Sequence, residues 1–256
     1  MSQRSEPKIS VIGLEKSFGP KRVLKSIDLE VAVAESVVVV GGSGAGKTVF
    51  LKHLIGLLSP DEGNVVIDGI DLTLASSEAA LALRKKFGMA FQEGALFDSM
   101  TVFDNIAFPI RRHTRASRQE VADRVCECLD LVRLEGVDSK YPAELSGGMR
   151  RRVGFARAIA LEPEILLFDE PTTGLDPVNT ASIAKVLNQL REALDVTIVT
   201  ITHDMSLAFR IADRIAMMRD GRIIALADPE GFRALDDIYV QAFLKGEVPE
   251  DLEEAS

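Results

Sequence analysis

The spacing of hydrophobic positions changes several times along the chain, and each change predicts a new element. Residues 8–13 (KISVIG) and 27–33 (IDLEVAV) alternate apolar with polar, the period of half-exposed antiparallel strands. Residues 36–40 (SVVVV) are an unbroken β-branched run and read as a buried parallel strand. From Gly46 to Leu58 the spacing is helical, closed by the turn residues Ser59-Pro60-Asp61-Glu62-Gly63. The pattern predicts further strands over 64–68, 87–91, 165–169 and 196–201, a helix from Pro177, and a hairpin turned at Asp220-Gly221. The interval 112–162 differs, because its spacing is helical only. Ser117 and Glu120 form a capping box, Val121, Val125, Leu129 and Val132 keep one apolar face, and a second helix carrying Arg150, Arg151 and Arg152 starts at Ser146. A helix-only interval between β-rich halves predicts a helical subdomain inserted into an α/β core.

Composition narrows the function classes. The chain has 256 residues and no internal repeat, so it reads as one continuous unit over 8–246, with the helical subdomain at about 93–162. Residues 247–256 hold five acids and no base and read as a solvated tail. With 30 Lys+Arg against 39 Asp+Glu, a net charge of −9, the chain lacks the excess of cations that would neutralise nucleic-acid phosphates, and no nucleic-acid partner is expected. No apolar run approaches 18 residues, and the N-terminal MSQRSEPKIS has no signal-peptide core, so the chain is expected to stay in the cytosol. Cys126 and Cys128 are too few and too close for a disulfide framework; Cys128 falls on the apolar helix face. His53 and His113 are expected at the surface.

Residues 41–48, Gly41-Gly42-Ser43-Gly44-Ala45-Gly46-Lys47-Thr48, match the phosphate-binding loop G-x-x-x-x-G-K-[ST], with a strand before and a helix after. Glycines let the backbone curl so that N–H groups converge on phosphate oxygens, and the helix dipole adds to the attraction. Lys47 would contact the β- and γ-phosphates and Thr48 would ligate Mg²⁺. Residues 165–170 (ILLFDE) supply the complementary acids: a buried strand delivers Asp169 to hold magnesium and Glu170 to polarise a water for attack on the γ-phosphate. Two adjacent carboxylates repel, so a nearby cation makes sense of them.

The residues that narrow the choice among nucleotide enzymes are LSGGM at 145–149, Gln92 after FGMAF, Gly174-Leu175-Asp176 after the acid pair, and His203 after TIVTIT. In this order and spacing, from about residue 8 to 225, the set resembles the ATP-binding-cassette (ABC) ATPases. The resemblance implies a P-loop core with an antiparallel N-terminal β-subdomain, ATP and Mg²⁺ as ligands, and a homodimer that sandwiches the nucleotides. It puts Phe18 where an aromatic stacks on adenine, Gln92 near magnesium and water, and His203 at the γ-phosphate. Ser146, Gly147 and Gly148 would face the nucleotide of a second chain, and Asp176 belongs to the motif beside it. Met149 stands where the family usually has glutamine.

The stretch GALFDSMTVFDNIAFPI (94–110), SGGMRRRVGFARAIALEPEILLFDEP and the ending VQAFLKG (240–246) resemble more narrowly the ATPases of Mla/Mce-type lipid transporters. That implies a peripheral protein on the cytoplasmic face of the bacterial inner membrane, driving a separate permease and a periplasmic lipid-binding protein, with room for a small accessory subunit and with phospholipid as cargo. The permease contact is expected at Gly94–Ile110, read as a surface loop too apolar to stand in water. Alternatives are an importer ATPase for amino acids or another small solute, and a soluble ABC protein acting on nucleic acid or ribosomes. Members of the second class carry a long coiled-coil insertion or a second cassette, and this chain has neither.

Overall fold

The computed structural model describes residues 6–92 and 94–247. The chain starts with the hairpin β1 (Ile9–Phe18) and β2 (Lys21–Val31), then β3 (Ser36–Val40), α1 (Lys47–Leu54), β4 (Glu62–Ile67) and β5 (Ile70–Asp71). Next come α2 (Ser77–Arg84), β6 (Phe87–Ala90), α3 (Val102–His113), α4 (Arg118–Leu131), a 3₁₀ turn (Pro142–Glu144) and α5 (Gly147–Ile159). The last part is β7 (Ile165–Asp169), α6 (Pro177–Leu194), β8 (Thr197–Thr202), α7 (Met205–Ile211), β9 (Arg214–Arg219), β10 (Arg222–Ala227), α8 (Pro229–Arg233) and α9 (Ile238–Lys245).

The strands form an antiparallel sheet in the order β2-β1-β4-β5 and a six-stranded sheet in the order β10-β9-β3-β8-β7-β6. In the larger sheet β9, β3, β8, β7 and β6 run parallel and β10 returns antiparallel on β9. The valines of β3 explain its central place. Val38 and Val40 pack into the core shared with α3 to α7, while Val37 and Val39 pack on the other face with α1 and the antiparallel sheet. A strand apolar on both faces must be covered on both sides. The helices α3, α4 and α5 lie between β6 and β7, so the expected α/β core with antiparallel sheet and helical insertion is what forms.

Several elements differ from the sequence pattern. β1 and β2 run past the alternating stretches to their turn, where Lys16–Asp61 and Arg22–Glu15 ion pairs of 2.7 Å each hold the polar positions and Leu24 stays buried in the core. α1 stops at Leu54, where the Leu57 N–H turns back to the Lys52 carbonyl at 2.9 Å. The expected 94–110 loop is a loop only to Thr101. Its second half is amphipathic α3, whose Val102, Ile106, Ala107 and Ile110 are buried in the helical subdomain. The acidic tail, apart from Glu247, lies outside the described residues. Among the described residues, no helix is long and apolar enough to cross a membrane.

Candidate nucleotide site

The sheet order gathers segments that are far apart in sequence. The phosphate loop leaves β3, Gln92 follows β6, Asp169-Glu170 ends β7 and His203 follows β8, and these strands are neighbours in the order β3-β8-β7-β6. Carboxyl ends of parallel strands are where open α/β sheets take ligands. A cavity of ≈ 770 Å³ lies there, lined by residues 42–49, Gln92, Glu170, Thr173 and His203, with Lys21 and Val23 of β2.

Within the loop, Gly46 enters α1 at φ 104°, and a Cβ at that position would lie 2.9 Å from Leu24 Cδ2. No side chain caps α1. Every other α-helix among the described residues starts with a Ser, Thr or Asp whose oxygen accepts a first-turn N–H. The first-turn donors of α1 and its dipole are thus available to an anion, and the donor set fits a polyphosphate. Lys47 is buried; its Nζ donates to the Gly41 and Gly42 carbonyls at 2.6 and 3.1 Å and lies 3.8 Å from Glu170 Oε1. Burial lowers its pKa, opposed by the charges of Glu170 and Asp169. Gly41 is absent from the cavity lining. A Cβ there would meet the Met218 carbonyl oxygen at 2.2 Å, so this glycine allows β9 to pass close by.

Glu170 holds a left-handed backbone at φ 49°, a conformation that costs a residue with a Cβ about 1–3 kcal/mol. Its N–H donates to the Ile201 carbonyl at 2.9 Å, which pins the strained turn to β8. Oε2 lies 2.8 Å from His203 Nδ1 and accepts from Thr173 Oγ1 at 3.2 Å and Thr202 Oγ1 at 3.4 Å. Asp169 is half-buried beside it. Burial first, then the Glu170 charge, raises its pKa against the pull of Lys52 and Lys47, so the pair sits where a cation would relieve both.

A sequence profile described as ABC transporter matches residues 24–173, more than half of the chain. The chain belongs to the ABC transporter family. Over 238 residues this ABC ATPase is 43% identical to the probable ribonucleotide transport ATP-binding protein mkl of Mycobacterium leprae (strain TN), covering 93% of the chain and 69% of that protein. It spans about two thirds of the length of the mycobacterial relatives it matches. It is 39% identical over 239 residues to the intermembrane phospholipid transport system ATP-binding protein MlaF of Haemophilus influenzae, covering 93% of the chain and 90% of that protein. The dimeric ATP-binding cassette MJ0796, solved in a post-hydrolysis state with ADP and Pi, matches with a TM-score of 0.79 and 31% identity over 86% of this chain and 98% of that one.

Other expected site residues of the ABC ATPase lie apart from the cavity lining. Phe18 is 47% exposed at the end of β1, with Lys16 Nζ 5.8 Å from its ring centroid. Its register partner is Lys21, which does line the cavity. Ser146 caps α5 by accepting the Met149 N–H, and Gly147 borders a separate cleft with Leu96, Asp98 and Gly174. Asp176 caps α6, accepting from the Val178 and Asn179 N–H groups at 2.9 Å each.

The structure also shows what pattern reading missed. Buried Asn105 on α3 holds the preceding loop: its Oδ1 accepts the Phe97 N–H at 2.8 Å, and its Nδ2 donates to the Phe97, Met100 and Thr101 carbonyls. Arg151 of α5 donates from Nε to the Gln92 carbonyl at 2.9 Å and from Nη2 to the Thr173 carbonyl, tying the segments after β6 and β7 to α5. The Tyr239 hydroxyl of α9 lies 3.6 Å from where a side chain at Gly42 would begin. Thr173, three residues past Glu170, and Arg151, two residues past LSGGM, lie close to motifs that could have flagged them. His53 corrects an expectation, for it is buried rather than at the surface. Its Nδ1 donates to the Val49 carbonyl one helical turn back at 2.7 Å, which lets a polar ring enter the core.

Proposed function

We propose that this ABC ATPase is the ATP-hydrolysing motor of a bacterial lipid transporter. It would sit on the cytoplasmic face of the inner membrane and drive a separate permease that passes phospholipid to a periplasmic lipid-binding protein. The observation that carries the hydrolytic reading is the Glu170–His203 pair at 2.8 Å in the same cavity as Lys47. First-turn N–H groups of α1 and Lys47 hold the β- and γ-phosphates. Glu170 accepts a hydrogen bond from water and aims it in line at the γ-phosphorus, with His203 fixing the carboxylate and offering its other ring nitrogen to the γ-phosphate. Mg²⁺, held by Thr48 and Asp169 with Gln92, would neutralise charge on the phosphates. Ser146, Gly147 and Gly148 of a second chain close the site in a homodimer.

The lipid assignment rests on the LFDSM-TVFDN stretch together with likeness to MlaF along nearly the whole of both chains. The likeness to mkl, named for ribonucleotide transport, favours a small-solute importer as the second reading. Glu170→Gln should keep ATP binding, abolish turnover and trap a dimer, because the amide keeps the shape and loses the charge that orients water. Steady-state phosphate release within about twofold of wild type would sink the assignment of Glu170, since losing a catalytic base normally costs roughly 10²–10⁴-fold. Purification of the assembled transporter from membranes, with mass spectrometry of partners and bound lipid, decides the cargo; a small solute with no lipid would overturn it.

A further inference from the structure

The nucleotide site leaves unexplained a basic tip at the end of the helical subdomain. Between Asn105 and Gln119 the sequence holds Arg111, Arg112, His113, Arg115 and Arg118 and no acid, in a chain of net charge −9. Residues 111–120 are all exposed. Arg111 pairs with Asp104 at 2.9 Å. The guanidinium groups of Arg112, Arg115 and Arg118 have no ion pair, hydrogen bond or ring contact among the described residues.

The turn that carries them is held in place. Thr114 Oγ1 donates to the Ile110 carbonyl at 2.8 Å and accepts the Ala116 N–H at 3.2 Å, and the Ser117–Glu120 capping box locks the start of α4. Unpaired arginines therefore project from a braced turn, so little order is lost when they meet a partner. Beside them stands an exposed aromatic pair, Phe108 (42% exposed) and Phe97 (43%), with ring centroids 5.1 Å apart. Helical spacing sets Phe108 against Arg111 and Arg112.

We infer that this tip rests on the anionic headgroups of the membrane that holds the permease. The inference depends on the proposed membrane-bound function, since α3 runs from the loop expected to meet the permease to the tip, a span of roughly 18 Å for twelve residues. Electrostatics acts locally at that range, because at physiological salt the screening length is about 8 Å. Of the two acids that flank the tip, Asp104 is paired with Arg111 and Glu120 accepts the Ser117 N–H in its capping box. Cations beside apolar rings match the layered chemistry of a headgroup region.

Flotation of the full chain with vesicles tests this. The chain should float with phosphatidylcholine–phosphatidylglycerol vesicles at low salt, and neither at high salt nor with phosphatidylcholine alone. Arg112→Gln/Arg115→Gln/Arg118→Gln should weaken binding roughly a hundred-fold, at about fivefold for each arginine near the surface. Lys185→Gln/Arg210→Gln/Arg222→Gln removes the same charge from three exposed positions elsewhere and should change little. Both triple variants should melt and hydrolyse ATP as the wild type does; if the tip variant melts early, its single substitutions carry the test. Equal flotation on both vesicle types, equal loss in both triple variants, or an arginine-dependent grip on an oligonucleotide in place of vesicles overturns the proposal. Capture of the permease from solubilised membranes reads the docking function separately. A chain that captures it and ignores vesicle charge loses the lipid contact alone.

Discussion

At Gly46 the chain enters α1 through a left-handed turn with no side chain over the first N–H groups, whereas at Ser146 it enters α5 extended, with the serine hydroxyl on the Met149 N–H. Both are helix starts that concentrate partial positive charge. Around α1 the same chain supplies Lys47, Gln92, Glu170 and His203 in one cavity, so this half of the site is assembled at home. Around Ser146 there is no such company. The serine is exposed, and Gly147 faces a cleft shared with Gly174 and Leu175. The contrast teaches that one chain gathers the phosphate loop, the acid and the histidine itself, while the α5 start stands apart from that cavity, where the proposed dimer would bring it to the partner's nucleotide.

Mixing two damaged chains challenges that contrast hardest. Lys47→Ala and Ser146→Arg homodimers should each lose roughly 10²–10³-fold in turnover, the range for removing a charge-stabilising donor. A heterodimer of the two keeps one intact composite site, so the mixture should regain part of the wild-type phosphate release. No recovery with proven heterodimers would mean that α5 does not serve the partner's nucleotide.

A smaller effect separates the two starts by stability. Ser146→Ala removes only a cap and should cost about 1 kcal/mol in denaturant unfolding. Gly46→Ala should cost more and weaken ATP binding as well, because the added Cβ meets Leu24 Cδ2 at 2.9 Å in a left-handed backbone. Equal losses from the two substitutions would erase the distinction between a capped and an open start.

The mildest effect lies away from both helix starts, in the cluster of Lys8, Asp68, Lys86 and Glu164 that ties β1 and the β4–β5 turn to the starts of β6 and β7. Burial raises the Asp68 pKa, but hydrogen bonds and charge from Lys8 and Lys86 outweigh it and hold the carboxyl below its usual range. The hydrogen bond from Lys8 does the same for Glu164. Carboxyls held low in the folded state contribute stability that is complete above their unfolded values, about 3.9 and 4.3, and that fades as pH falls through the folded ones. Asp68→Asn should therefore shrink the drop in melting temperature on going from about pH 6 to about pH 3, while leaving the nucleotide affinity at neutral pH alone. An unchanged drop would remove the cluster from the account of acid stability.

Elements whose cause is local were legible in sequence. β3 and β7 run over the same residues as their apolar runs, and the capping box at Ser117 starts α4 where expected. α3 was not, because Phe103, Phe108 and Pro109 break the look of a helix, and its identity depends on burying Val102, Ile106 and Ile110 against the other subdomain helices. Burial of His53 was equally hidden, since its partner is a carbonyl of its own helix.

The amino-acid sequence by itself determined the kind of chemistry, because glycines, Lys47-Thr48 and paired acids at fixed spacing have few other uses. Tertiary structure alone decided how the pieces meet. The strand order β3-β8-β7-β6 brings residues 48, 92, 170 and 203 to one rim. Asn105 shapes the loop before α3, and β8 holds Glu170 in a backbone conformation it would not choose alone. Spacing along a chain reports only neighbours within a turn or two, whereas these contacts follow from which apolar faces must be covered and which strands pair to cover them.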